Sequence, residues 1–275
     1  MPQAKASDGT SIYYEVEGNG PAIIFVHELA GTCHSFNMQV AAMKSRFQCI
    51  TFNARGYPPS AVPTAVESYS QDIAASDIGA VLDAVGVKDA HVMGVSMGSA
   101  AALQFAIKNP SRVRSAILCS IGSGSDAEPA TYVANMEGMA ARIEQNGMAQ
   151  IQQNFTSSPP RLKLKEKNPA EFERFVAEIS SFSVPGLVNT IRGVQKRRAP
   201  LYAHKDAIAA LKIPALVVLG GIDAGCNKPS HFLQETLPGA RLETLPDTGH
   251  GVNIEEPEKV NRMVIDFIDG VEARR

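Results

Sequence analysis

The stretch His91-Val92-Met93-Gly94-Val95-Ser96-Met97-Gly98-Ser99-Ala100 carries the decisive signal in this chain. Glycines stand two residues before and two residues after Ser96. An apolar, strand-like run precedes the serine. An alanine-rich, helix-like run follows it (residues 99–108, SAAALQFAIK) and stops near Asn109-Pro110. A strand–turn–helix of this kind forces the serine hydroxyl to the tip of a sharp turn, where it can act as a nucleophile. The glycines leave room for a strained backbone that a Cβ would block. The helix N-terminus offers free N–H groups to a developing oxyanion. The bland alternative is a glycine-rich turn with a helix-capping serine, and the flanking strand and helix weigh against it.

The pattern extends outward from this turn. Residues 22–26 (AIIFV) and 48–52 (QCITF) are short apolar runs, as expected for strands buried on both faces. Residues 11–17 (SIYYEVE) alternate and end at Gly18-Asn19-Gly20-Pro21, which predicts an N-terminal hairpin. Residues 69–85 place Ile73, Ile78, Val81, Leu82 and Val85 at helical spacing, with Gly86 as a stop. A further strand falls at 115–120 (SAILCS). From residue 207 onward the alternation resumes, with a strand at 215–219, a helix at 229–237, a strand at 241–245 and a final helix at 257–269. This order predicts an α/β chain with an open, doubly wound, mostly parallel sheet. Residues 122–205 break the pattern. They hold helical candidates at 131–145, 148–155, 169–182 and 185–196 and no strand candidate, and are punctuated by Pro159-Pro160 and Val184-Pro185-Gly186. The reading is a core domain of residues 1–121 and 206–275, with an α-helical cap of residues 122–205 inserted over the carboxyl edge of the sheet.

Composition narrows the function classes. Of 275 residues, 44% are hydrophobic and 20% charged, which suits one soluble α/β domain carrying an insertion. A net charge of −2 gives no reason to expect a nucleic-acid partner. No run approaches the ~18 apolar residues of a membrane span. The start, MPQAKASDGTS, lacks an apolar signal core, so the expected location is cytoplasmic. Cys33, Cys49, Cys119 and Cys226 show no paired spacing and read as free thiols, so no metal site is expected and no cofactor is implied. The sequence leaves room for a homodimer.

A serine hydroxyl needs a base to take its proton and a third group to orient that base. Of the six histidines, only His250, in Asp247-Thr248-Gly249-His250-Gly251, combines glycine flanks with a loop between the last strand and the last helix. The best acid is Asp223, in Leu219-Gly220-Gly221-Ile222-Asp223, directly after a strand and so at the carboxyl edge of the sheet. Asp126, soon after the 115–120 strand, is the alternative. For the oxyanion hole, the expected donors are the backbone N–H of Met97 and that of Leu29, with Glu28 as a fallback.

Taken together, the Ser96 elbow, the GGID run and the GHG run, in the order Ser96, Asp223, His250, resemble the α/β-hydrolase superfamily over essentially the whole chain. Within it, the chain looks like the small serine esterases, enol-lactonases and C–C hydrolases. The resemblance implies hydrolysis of a small-molecule carboxylic ester or lactone through an acyl-enzyme on Ser96. C–C bond hydrolysis of a ring-cleavage product uses the same three residues and is the alternative chemistry; a ligand receptor without turnover is the alternative of a different class. A serine at the elbow argues against relatives of this fold that use aspartate there.

Two departures stand out. Family members usually carry His-Gly where this chain has His27-Glu28. Glu28 either points inward against the substrate oxygen or turns away to pair with a cation, the reading favoured here. Relatives often have Asp where this chain has Asn53, in Asn53-Ala54-Arg55-Gly56-Tyr57-Pro58-Pro59-Ser60; that loop is expected to place Tyr57 or Arg55 near the pocket wall. Glu28, His27 and Tyr57 are therefore the candidate substrate-pocket residues. Met136, Met139, Met148, Phe155, Phe172, Phe175 and Phe182 suggest an apolar pocket, although most such residues are simply core. Residues 161–205 hold ten Lys or Arg against four Glu, which suits a carboxylate-bearing substrate, a solvated helix face being the simpler reading.

Overall fold

The computed structural model describes the backbone of residues 1–275 and all side chains except those of residues 159 and 160. Its eight strands form one sheet: β1 (Gln3–Lys5), β2 (Ser11–Glu17), β3 (Ala22–Val26), β4 (Gln48–Phe52), β5 (Ala90–Val95), β6 (Val113–Cys119), β7 (Ala215–Gly220) and β8 (Arg241–Leu245). The spatial order is β1-β2-β4-β3-β5-β6-β7-β8. β1 and β2 pair antiparallel, β2 pairs antiparallel with β4, and all other neighbours are parallel. The fold is thus the expected α/β class with a mostly parallel sheet. β3, β5 and β7 are buried along their whole length because helices cover both faces.

Twelve α-helices accompany the sheet: α1 (Asn37–Met43), α2 (Gln71–Val85), α3 (Met97–Lys108), α4 (Pro129–Asn146), α5 (Met148–Thr156), α6 (Pro159–Lys167), α7 (Pro169–Ile179), α8 (Val184–Thr190), α9 (Lys205–Ala209), α10 (Ala224–Thr236), α11 (Val252–Glu255) and α12 (Pro257–Glu272). One face of the sheet packs Ile24, Val92 and Val217 against Ile78 and Leu82 of α2, Ala102 and Phe105 of α3 and Leu233 of α10. The other packs Phe25, Met93 and Val218 against Met43 of α1 and Val264 and Ile268 of α12. Alternate residues of one strand thus feed opposite cores, as the period of two demands.

Between β6 and β7 the chain is helical, with no strand among the described residues. Its apolar residues Ile143, Phe175, Leu187 and Ile191 form one cluster with Ala30, Tyr57 and Met97 of the sheet's carboxyl edge. These helices therefore sit above the turn that carries Ser96. No helix among the described residues is long and apolar enough to cross a membrane.

The structure corrects three sequence expectations. The predicted hairpin after β2 does not form: β4 lies between β2 and β3, because β3 is apolar on both faces and takes two parallel neighbours. β2 instead forms its hairpin with β1. Helix α10 begins at Ala224, five residues before Pro229, which sits inside it at the cost of one intrahelical hydrogen bond. Residues 159–167, which held no helix candidate, form α6 with Pro159-Pro160 in its first turn, where a missing N–H costs nothing.

Candidate active site

The turn from β5 into α3 holds Ser96 at φ 54° and ψ −113°, a conformation that L-residues avoid. Two close approaches make it possible. A Cβ on Gly94 would lie 2.4 Å from the backbone of Gly98, and a Cβ on Gly98 would lie 1.9 Å from the carbonyl oxygen of Val26. The turn is pinned from below, where the Ser96 amide donates to the Cys119 carbonyl at 2.9 Å. The Ser99 hydroxyl lies 2.7 Å from both the Gly94 and Cys119 carbonyls.

Three side chains from three loops meet at this turn. Ser96 Oγ donates to His250 Nε2 at 2.8 Å, and His250 Nδ1 donates to Asp223 Oδ2 at 2.6 Å, the tautomer following from these partners. The loop carrying His250 is fixed by buried Glu255, whose carboxylate accepts from the Gly249 and Gly251 amides at 2.7 and 3.1 Å. Burial pushes the Glu255 carboxyl above its ordinary range, and the two amides oppose that shift. The Ser120 hydroxyl donates to the His250 carbonyl at 2.8 Å. Asp223 is buried, which by itself disfavours its charge. The hydrogen bond and charge of His250, with Cys226 and Arg161 nearby, nevertheless bring it below the ordinary range. Asp126 is not part of this group: it is exposed and accepts from the Tyr202 hydroxyl at 2.5 Å.

The loop after β3 faces the serine. Leu29 lines the same cavity as Ser96 and His250, and among the described residues its amide donates to no protein acceptor. The Met97 amide opens α3 and so belongs to the unpaired donors of a helix start. Glu28 is buried. Its Oε1 lies 3.5 Å from the Ser35 hydroxyl and 3.8 Å from Arg161 Nη2, so it does face a cation, but loosely.

His27 and Tyr57 lie beneath this loop rather than on the cavity wall. His27 Nδ1 donates to the Glu28 carbonyl at 2.8 Å while its Nε2 accepts the Ala54 amide at 3.0 Å. Burial also holds its pKa below the ordinary value, so it is a neutral strut between the loops after β3 and β4. The Tyr57 hydroxyl accepts from the Ala30 amide at 3.3 Å, and its ring meets His27 and Phe182 edge-on. Arg55 is also drawn away, because it donates to both carboxylate oxygens of Asp77 at 2.7 Å and to those of Asp8 at 2.7 and 3.5 Å. Asn53 accepts the Cys33 amide at 2.7 Å and donates to the Pro58 carbonyl at 2.7 Å. A carboxylate there could not donate, which accounts for the amide in place of Asp.

Between these loops and the helices above lies a cavity of about 350 Å³. Glu28, Leu29, Ser96, Asp223 and His250 line it from the core side. From the helical side come Met136, Met139 and Phe155, expected from sequence, and Arg161, Gln195 and Arg198, which were not singled out. Phe175 and Phe182 belong to the adjoining core, and Phe172 to a separate cluster with Leu164 and Ile254. The run of cations between residues 161 and 205 hid Arg161: nothing in the sequence separates it from its solvated neighbours. Among the described residues, two groups bring potential metal-ligand atoms within 4.8 Å of one another: half-buried Glu15, buried Cys33 and exposed His34, and, here, Asp223, Cys226 and His250. In the second, the Asp223–His250 hydrogen bond already uses the carboxylate and Nδ1.

A family model described as alpha/beta hydrolase fold matches residues 21–257. The chain belongs to the alpha/beta hydrolase fold family. Among its relatives, a 3-oxoadipate enol-lactonase of Acinetobacter baylyi is 27% identical over 271 residues, covering 96% of this chain and 95% of that one. A hydrolase from Pseudomonas aeruginosa PA01 superposes with a TM-score of 0.85 at 25% identity, with 97% of each chain covered. The enol-lactonase from Burkholderia xenovorans LB400 also reaches 0.85, at 22% identity, over 98% of this chain and 100% of its own. These alpha/beta hydrolase fold proteins are hydrolases, and the present chain is a hydrolase of the same fold.

Proposed function

We propose that this protein hydrolyses a carboxylic ester or lactone, with Ser96 as nucleophile, His250 as general base and acid, and Asp223 as the group that orients His250. The carrying observation is the continuous relay from Ser96 Oγ to His250 Nε2 at 2.8 Å and from His250 Nδ1 to Asp223 at 2.6 Å, with the serine raised on a strained turn at a cavity floor. Ser96 Oγ adds to the carbonyl carbon as its proton passes to His250 Nε2. The resulting oxyanion takes hydrogen bonds from the Met97 and Leu29 amides, each worth about 3 kcal/mol in the transition state. The C–O bond then breaks, His250 returns the proton to the leaving oxygen, and the acyl group stays on Ser96. Water, deprotonated by His250, releases the acid. In a lactone the leaving hydroxyl remains tethered to the acyl group. The enol-lactonase relative from Acinetobacter baylyi supports a lactone as one substrate form. The helices of residues 122–205 serve as the cap that closes the pocket.

The test is stopped-flow hydrolysis of p-nitrophenyl butyrate. A nitrophenolate burst of about one equivalent per chain is expected, lost in Ser96→Ala. An unchanged rate in that variant would overturn the assignment.

A further inference from the structure

We propose that the cavity selects esters or lactones carrying a carboxylate, and that Arg161 is the residue that receives it; the inference rests on reading Ser96 as the nucleophile. Arg161 is 5% exposed, on the third residue of α6. Its guanidinium lies 4.6 Å from the Phe175 ring centre and 5.6 Å from that of Phe155. Those rings support the cation but satisfy none of its five N–H donors. Glu28 is 3.8 Å from Nη2, beyond hydrogen-bond reach, and Nη1 has no hydrogen-bond partner among the described residues.

Buried donors are almost always paired, and a buried guanidinium left short of partners is destabilising. The other nearby acids cannot fill the fork. Glu255 is engaged by the Gly249 and Gly251 amides, and Asp223 by His250. Nη1 lies on the side of the His250 loop, 3.4 Å from where a Cβ on Gly251 would stand. Nη1 thus packs against the loop that carries His250, and Arg161 lines the same cavity as Ser96.

The charge balance points the same way. Arg198 lines the same wall, bonds to the neutral carbonyl of Ser123 and forms no ion pair among the described residues. With Asp223 committed to His250, the wall holds two arginines against Glu28 alone. One carboxylate on the substrate balances it, and the planar guanidinium fork suits that anion better than a neutral carbonyl.

The experiment compares matched esters on wild type, Arg161→Gln and Glu28→Gln. One pair carries the charge on the acyl side (mono-p-nitrophenyl glutarate against p-nitrophenyl valerate). The other carries it on the alcohol side (4-acetoxybenzoate against its methyl ester). The readout is the ratio of kcat/KM, charged over neutral, within each pair. In wild type at least one ratio is expected to exceed unity. In Arg161→Gln that ratio should fall about 10- to 100-fold, mainly through KM, as for loss of a charged hydrogen bond. In Glu28→Gln it should rise severalfold, because a competing carboxylate is gone; this opposite sign keeps the test valid even if Arg161→Gln does not fold. Ratios at or below unity in both pairs, or a ratio unmoved by Glu28→Gln, would overturn the inference. Turnover of the neutral esters that survives Ser96→Ala would instead overturn the nucleophile assignment, so the two failures are distinct.

Discussion

Replacing Gly98 with alanine puts a Cβ 1.9 Å from the Val26 carbonyl oxygen and 2.8 Å from that of His27. Val26 ends β3 and His27 directly follows it, and β3 is hydrogen-bonded to β4 on one side and β5 on the other. The strand cannot retreat, so α3 must. Restoring a tolerable contact takes a displacement of roughly 1 Å, and misplacement on that scale costs about 10²-fold in rate. Because α3 starts at Met97, the shift carries the Met97 amide and Ser96 Oγ away from the Leu29 amide and His250. Forcing the methyl group into this packing also costs about 1–3 kcal/mol of stability. The control is Gly270, inside α12, where an added Cβ meets nothing within 4 Å. Alanine there should raise stability by roughly 0.5–1 kcal/mol through helix propensity and leave turnover unchanged. Urea unfolding and p-nitrophenyl butyrate hydrolysis measure both variants. A Gly98→Ala protein with wild-type kcat/KM and unfolding midpoint would refute the reasoning, as would a destabilised Gly270→Ala.

Asp223→Asn keeps a hydrogen-bonding group beside His250 but favours the wrong tautomer, so kcat should fall about 10⁴-fold with the fold intact by circular dichroism; a loss under tenfold contradicts the assigned role. Arg55 is buried between Asp77, which is 2% exposed, and Asp8, whose side chain is 43% exposed. Asp77→Ala should therefore destabilise by about 3–5 kcal/mol and Asp8→Ala by far less, and equal costs in urea unfolding would refute this. His91 is buried in β5, and burial lowers its pKa from 6.5 to about 4 although Glu272 lies 3.2 Å away. Between those values the unfolded chain binds the extra proton. Stability should thus fall as pH drops from about 6.5 to about 4, by on the order of 3 kcal/mol. His91→Gln should flatten that slope; parallel pH curves for the two proteins would count against it.

The sheet was legible because its central strands are apolar on both faces and its helices repeat at 3.6 residues. β2, β3, β4 and β8 fall where alternation and apolar runs put them. β1 spans only three residues and pairs with a single neighbour, so it leaves no periodic trace. Helix α1 was hidden because its seven residues are set by packing against α12 rather than by capping. That Ser96, Asp223 and His250 would meet was legible because each stands just past a strand end, and strand ends are visible in sequence. Sequence offered both Asp223 and Asp126 as partners for His250, and the folded loops bring Asp223 to it while Asp126 meets Tyr202. Glu255, Ser120 and Arg161 reach the site across the fold, and glutamate, serine and arginine carry no local mark of such a placement. Tyr57 was expected on the wall because its loop follows a strand end, yet the close packing of that loop turns the ring under the loop after β3.

Strain is concentrated where the chemistry is proposed. The three non-glycine residues with positive φ are Ala30, Ser96 and Ser120, each following a neighbouring strand of the sheet at its carboxyl edge. At Ser96 the strain can be separated from catalysis by comparing two variants that both lack the hydroxyl. Ser96→Ala keeps a Cβ at φ 54° and ψ −113° and so keeps the backbone cost, about 1–3 kcal/mol for such conformations. Ser96→Gly removes that cost but adds chain entropy to the unfolded state, about 0.5–1 kcal/mol against it. The glycine variant should therefore be the more stable of the two, by about 1 kcal/mol. If urea unfolding shows it equal or weaker, the turn holds no strain of consequence, and the exposure of Ser96 Oγ must come from the flanking glycines alone.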